Sequence, residues 1–133
     1  MGLGHRPIFD KVIKIAYNNL DMAPKGPHRH FTFIVRRNKI IVFGVNFYTK
    51  THTINQRYGY QYNNIHSEGH AVISFPHNRS DLPTYDFYNV RINKRNEIAI
   101  SAPCEHCRVL LRSHGIQHIY YTTNEGTFER MSL

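Results

Sequence analysis

The only two cysteines of this 133-residue chain lie three positions apart, in Pro103-Cys104-Glu105-His106-Cys107. Upstream, His66-Ser67-Glu68 offers an imidazole and, two residues on, a carboxylate. Two thiolates and an imidazole make a ligand set suited to zinc, and three protein ligands rather than four leave a coordination position open for chemistry. Zinc lowers the pKa of a water it holds from about 15.7 to about 7, which supplies a nucleophile at neutral pH. A carboxylate beside the metal that is not itself a ligand can carry protons to and from a reacting group, and Glu68 takes that role. The chemistry implied is metal-assisted hydrolysis.

The elements that must position these residues follow from their neighbours. Cys104 and Cys107, at i and i+3, share one face of a helix. Pro103 suits a helix start, and a helix N-terminus together with a metal favours the thiolate. The run from Cys107 to His114 continues that helix, with Gly115 as its stop. His66 opens a second helix, His66 to Phe75, ended by Pro76, so two helix N-termini should meet at the metal. A lone C-x-x-C also suits a redox dithiol or half of a four-cysteine structural zinc site. The chain has no second cysteine pair for the latter, although spare histidines could close such a site. The former leaves His66 and Glu68 unexplained. His70 and His106 lie near enough in sequence to compete as ligands; we leave both out of the expected set.

The rest of the chain reads as a scaffold for these two helices. Ile8, Val12, Ile15, Ala16 and Leu20 recur at helical spacing and predict an amphipathic helix over 7–21. His30 to Val35 and Ile40 to Val45 are apolar and β-branched, and Arg36-Arg37-Asn38-Lys39 joins them as a hairpin. Asn46 to Asn64 has no clear period and reads as a long loop. Asp86 to Asn93 is expected as a strand, followed by a loop to Pro103. Ile116 to Thr122 is another strand, Asn124-Glu125-Gly126 a turn, and Thr127 to Met131 a short return strand. This order fits a single domain, residues 1–133, with an α/β fold. We expect a three-layer α/β/α sandwich on a mixed five-stranded sheet. The last strand should run antiparallel to its neighbour, because only a tight turn separates the two.

Composition narrows the partners. A hydrophobic content of 41% is ordinary for one globular core. No apolar run approaches the ~20 residues of a membrane span, and the N-terminus lacks a signal-peptide core, so no membrane partner is expected. Paired thiols in a metal motif without a disulfide framework suggest a reducing, cytoplasmic location. Lys and Arg number 17 against 9 Asp and Glu, for a net charge of +8 and a pI near 9.7. That balance favours anionic partners, either a phosphorylated small molecule or a nucleic-acid backbone.

The composite H-x-E…P-C-x-x-C resembles the signature of the zinc-dependent base deaminases. With the order of elements, it makes nearly the whole chain similar to the cytidine deaminase superfamily. Asn46-Phe47-Tyr48-Thr49-Lys50-Thr51-His52 resembles an N-x-x-x-K-T-H stretch of cytidine and deoxycytidylate deaminase-like proteins, including phage and viral members. Val90-Arg91-Ile92, Ser101-Ala102-Pro103-Cys104-Glu105-His106-Cys107 and Tyr120-Tyr121-Thr122 resemble segments of the same group. The resemblance implies a cytidine deaminase-like fold, zinc held by His66, Cys104 and Cys107, and Glu68 as proton shuttle. It implies substrate contacts from Asn46, with Ser67, Ala102, Pro103 and Tyr121 nearby, and a homo-oligomer. Many relatives carry alanine where this chain has Ser67, a small replacement. Typical deoxycytidylate and RNA-acting relatives follow the fourth strand with another helix, for which no room is expected here.

Three functions stay open at this point. The first is hydrolytic deamination of cytosine in a free pyrimidine nucleoside or nucleotide, with Lys50 and His52, backed by Arg57, near a 5′-phosphate. The second is deamination of cytosine or adenine in single-stranded DNA or RNA. Tyr48, Tyr58, Tyr60 and Tyr62 interleave with Lys50 and Arg57, and aromatic side chains beside basic ones suit unstacked bases. The third is a catalytically silent domain stabilised by zinc, which would have to explain the retained Glu68.

Overall fold

A computed structural model of the protein describes residues 6–23, 28–46 and 66–133. The expected loop after Asn46, with Lys50, His52, Arg57 and the four tyrosines, lies outside the described residues.

The first helix, α1 (Pro7–Asn18), opens with Pro7, whose fixed φ suits a first helical position, and a 3₁₀ turn over Leu20–Met22 follows it. Strands β1 (Arg29–Arg36) and β2 (Lys39–Val45) form the expected hairpin. Its two central residues, Arg37 and Asn38, have φ of 53° and 61°, the left-handed values that a two-residue hairpin turn requires. Then come α2 (Ser67–Ser74), a 3₁₀ segment (Arg79–Thr84), β3 (Asp86–Ile92) and a two-residue β4 (Ile98–Ala99). The chain closes with α3 (Glu105–Ser113), β5 (His118–Thr122) and β6 (Phe128–Ser132).

The sheet runs β2-β1-β3-β5-β6, with β4 paired to β3 off that path. The expected five strands are therefore present, and β4 is a sixth where the sequence suggested only loop. Asn93 makes it: its Oδ1 accepts from the N–H groups of Arg95 and Glu97 at 2.9 and 3.0 Å, and the turn folds Ile98–Ala99 back onto β3. The β3–β5 pair is parallel, with α3 in its crossover, and the other pairs are antiparallel, β5–β6 included.

Strand alternation divides the core in two. Phe31, Phe33, Val35, Tyr88 and Val90 face α1, whose Ile8, Phe9, Val12 and Ala16 are buried against them. Ile34, Phe87 and Ile119 face the other way, onto Ala71 and Val72 of α2 and Leu110 and Leu111 of α3. The result is a helix layer on each face of a mixed sheet. Both motif helices occupy the same face, as a shared site requires. Among the described residues, no helix is long and apolar enough to cross a membrane.

Candidate functional site

The three candidate ligands belong to two helix starts. His66 is the N-cap residue of α2 and Cys104 that of α3, and neither side chain caps its own helix. Pro103 thus stands one residue before the cap rather than inside the first turn. Freed from capping, the His66 ring turns its Nδ1 toward both sulfurs, 3.5 Å from Cys104 Sγ and 3.4 Å from Cys107 Sγ. The ligand atoms of His66, Cys104 and Cys107 all lie within 4.8 Å of one another. Cys104 is exposed and Cys107 fully buried, so the cluster is open on one side only.

The electrostatics suit a cation. Hydrogen bonding with the Cys107 side chain pulls the Cys104 thiol down to about 3, against burial and with help from His66 and the Cys107 backbone. The same contact with Cys104 raises the His66 pKa, against burial. Two sulfurs and an imidazole nitrogen, one sulfur held as thiolate, form a donor set that fits zinc. His70 does not join them. Its Nδ1 accepts from Val45 N–H at 2.9 Å, tying α2 to the end of β2, and His106 is exposed on α3.

A cleft of about 320 Å³ opens beside the cluster, within the range of small-molecule sites. Its walls are His28, His30, Asn46, His66, Ser67, Glu68, Ala102 and Cys104. Of the residues expected near a substrate, Asn46, Ser67 and Ala102 reach this cleft. Pro103 is buried and Tyr121 sends its hydroxyl to Glu129 Oε2 at 3.1 Å, and neither lines the wall. Lys50 and His52 lie outside the described residues.

Glu68 is 5% exposed on the first turn of α2. Its Oε2 accepts from Asn89 Nδ2 at 3.0 Å and its Oε1 from Ser67 Oγ at 3.2 Å. It is not a member of the His66–Cys104–Cys107 cluster.

Asn46, expected as a substrate contact, lines the cleft and also makes two hydrogen bonds within the fold. Its Oδ1 accepts from His30 N–H at 3.0 Å and its Nδ2 donates to the His28 carbonyl at 2.7 Å. The side chain thereby clips the start of β1 to the end of β2 and sets the wall that carries two histidines. Their rings stack with centroids 6.3 Å apart. Burial, with Arg91, His28 and His66 nearby, pushes His30 down to about 4, which keeps it neutral. Reading the sequence alone missed both histidines. The period-two parity of His28, His30 and Thr32 was the available signal, since those three share a strand face.

No protein-family model matches the sequence, and no curated protein matches it.

Proposed function

We propose that this protein is a zinc-dependent hydrolytic deaminase that converts cytosine to uracil in a free nucleoside or nucleotide. The observation that carries the reading is the convergence of His66, Cys104 and Cys107 within 4.8 Å beside a cleft whose wall includes the buried Glu68. When bound, zinc supplies a Lewis acid that makes water nucleophilic at neutral pH. His66, Cys104 and Cys107 hold the ion.

Glu68 moves the protons. It takes one from the attacking water as oxygen bonds to the ring carbon, and gives it to the adjacent ring nitrogen. It then carries the second proton of that water to the exocyclic amine. The carbon–nitrogen bond breaks, ammonia leaves and a carbonyl remains, so water plus cytosine balances uracil plus ammonia. Asn46, by clipping the two strand ends together, keeps the His28–His30 wall in place against the bound molecule. A cleft of this volume accommodates a single nucleoside.

Ammonia release from cytidine, deoxycytidine, their monophosphates and matching oligonucleotides tests the reading. Turnover of a mononucleoside or mononucleotide is expected. Activity confined to oligonucleotides, with the steep salt dependence of backbone binding, would replace this substrate class. Release from none of them by zinc-loaded protein would end the enzymatic reading.

A further inference from the structure

Behind Glu68, on the sheet beneath α2, lies a closed set of polar side chains in an otherwise apolar layer. Thr32 on β1 and Asn89 on β3 are direct cross-strand partners. Thr32 is fully buried, Asn89 and Ser67 are 1% exposed, and Glu68 5%. Thr32 Oγ1 donates to Asn89 Oδ1 at 2.6 Å and lies 2.8 Å from Ser67 Oγ. Ser67 Oγ contacts Glu68 Oε1 and Asn89 Nδ2 donates to Glu68 Oε2, which closes a ring through all four side chains.

The orientation of the Asn89 amide is fixed by its other contacts. The Ser101 carbonyl, 3.1 Å away, has only lone pairs to offer, so the nitrogen must face it. With the nitrogen turned to the Ser101 carbonyl and the Glu68 carboxylate, the amide oxygen faces Thr32, whose hydroxyl rotates to donate to it. A flipped amide would put oxygen against the Ser101 carbonyl and against the Glu68 carboxylate. With that flip blocked, the second Nδ2 hydrogen points at one place, Glu68 Oε2.

Ser101 ties this geometry to the metal cluster, because it lies three residues before Cys104. Its hydroxyl donates to the Asn89 carbonyl at 2.8 Å, and its N–H donates to the Thr122 carbonyl at 3.0 Å. The cysteine loop and the carboxylate are thus referenced to one residue.

We propose that Asn89 is the positioning residue for Glu68, with Thr32 and the Ser101 carbonyl locking its amide. This rests on the proton-carrying role proposed for Glu68. The Asn89 amide at 3.0 Å from Oε2, with the longer 3.2 Å contact from Ser67 Oγ to Oε1, fixes the plane of the carboxylate where it lines the cleft. Catalytic groups need placement within about 0.5 Å of the productive geometry, and a side chain one shell behind can supply it. A purely structural role for the ring would affect folding and metal content; a positioning role affects turnover after both are intact.

The test uses zinc-loaded Asn89→Leu, Thr32→Val and Thr32→Ser beside the wild-type protein, with kinetics, zinc content and crystal structures. Asn89→Leu should lower kcat by about 10–100-fold, with KM within about twofold of wild type and one zinc per chain. Thr32→Val should lower kcat less, because the amide loses one lock, and Thr32→Ser should restore it. In the Asn89→Leu crystal structure the Glu68 carboxylate should leave its wild-type position by more than about 0.5 Å. Wild-type kcat in folded Asn89→Leu, a loss matching lost zinc, or an unmoved carboxylate would overturn the proposal. If Asn89→Leu does not fold, the Thr32 pair decides: equal kcat in Thr32→Val and Thr32→Ser overturns it. A wild-type protein that releases ammonia from no base would sink the deaminase reading instead, and the carboxylate position alone would then decide on Asn89.

Discussion

Gly44 lies directly beneath the backbone of Ala71: a Cβ on the glycine would meet Ala71 N at 2.4 Å and Ser67 O at 2.7 Å. The helix that carries Glu68 can rest on β2 only because this strand position has no side chain. Gly44→Ala must therefore lift the first turn of α2, since the atoms it strikes are backbone and cannot rotate away. A stability loss of about 1–3 kcal/mol is expected, the usual cost of overpacking, together with weaker zinc binding because His66 rides on the same turn. Urea unfolding and a zinc competition titration check this. Unchanged zinc affinity in a folded variant would show that α2 tolerates the shift.

Glu68→Ala separates proton transfer from metal binding. The carboxylate lies outside the His66–Cys104–Cys107 cluster, so the variant should keep one zinc per chain. Its turnover should fall by about 10²–10⁴-fold or more, the range for a lost general acid–base group. Stability should fall by about 1–2 kcal/mol, because Asn89 Nδ2 and Ser67 Oγ lose a buried acceptor. Metal analysis and ammonia release are the measurements. Loss of zinc, or near-normal turnover, would reverse the assignment of roles.

Zinc binding should weaken as pH falls. In the metal-free protein the contact with Cys104 holds the His66 pKa above its ordinary value. Ligation needs the neutral ring, so protonation of the ring competes with zinc as pH falls. Cys104, held down to about 3, is already thiolate across the neutral range and adds no such competition. Competition with a chelating dye between pH 8 and pH 6 should show affinity dropping toward the acid side. Zinc held only by the folded chain should, at a free concentration of about 100 times Kd, add about 2.7 kcal/mol of stability, which a chelator should remove. Affinity flat across that pH range would mean that His66 is not a ligand.

Short-range patterns in the sequence carried most of this architecture. The C-x-x-C and H-x-E spacings located both helix starts, because ligand spacing and helical repeat are local properties. The hairpin was equally legible, since Arg36-Arg37-Asn38-Lys39 sits between two β-branched runs. Tertiary pairing was not. Asn89 reads as one polar residue in the strand Asp-Phe-Tyr-Asn-Val-Arg-Ile, and nothing local says that Thr32 stands opposite it. β4 is two residues long, too short to show any period. Tyr121 pairs with Asn89 in the sheet, on the face that carries the site, yet its hydroxyl bonds Glu129 on the neighbouring strand. Strand parity gives a face, and depth along that face depends on the packed neighbours.

His30 should make the fold sensitive to acid. Its pKa lies near 4 rather than the ordinary 6.5, chiefly through burial, with Arg91, His28 and His66 adding to the effect. The folded state therefore favours the neutral ring. A lowered imidazole pKa contributes stability that is complete above about pH 6.5 and is lost as pH falls toward 4, because the unfolded chain takes up the proton first. Allowing for its partial exposure, the loss is about 2 kcal/mol. Glutamine keeps the polarity and size of the site without titrating. Urea unfolding at pH 7.5 and at pH 4.5 should thus show a larger drop for the wild-type protein than for His30→Gln. Parallel losses in the two proteins, or an imidazole resonance titrating near 6.5, would place His30 in solvent and remove it from the cleft wall.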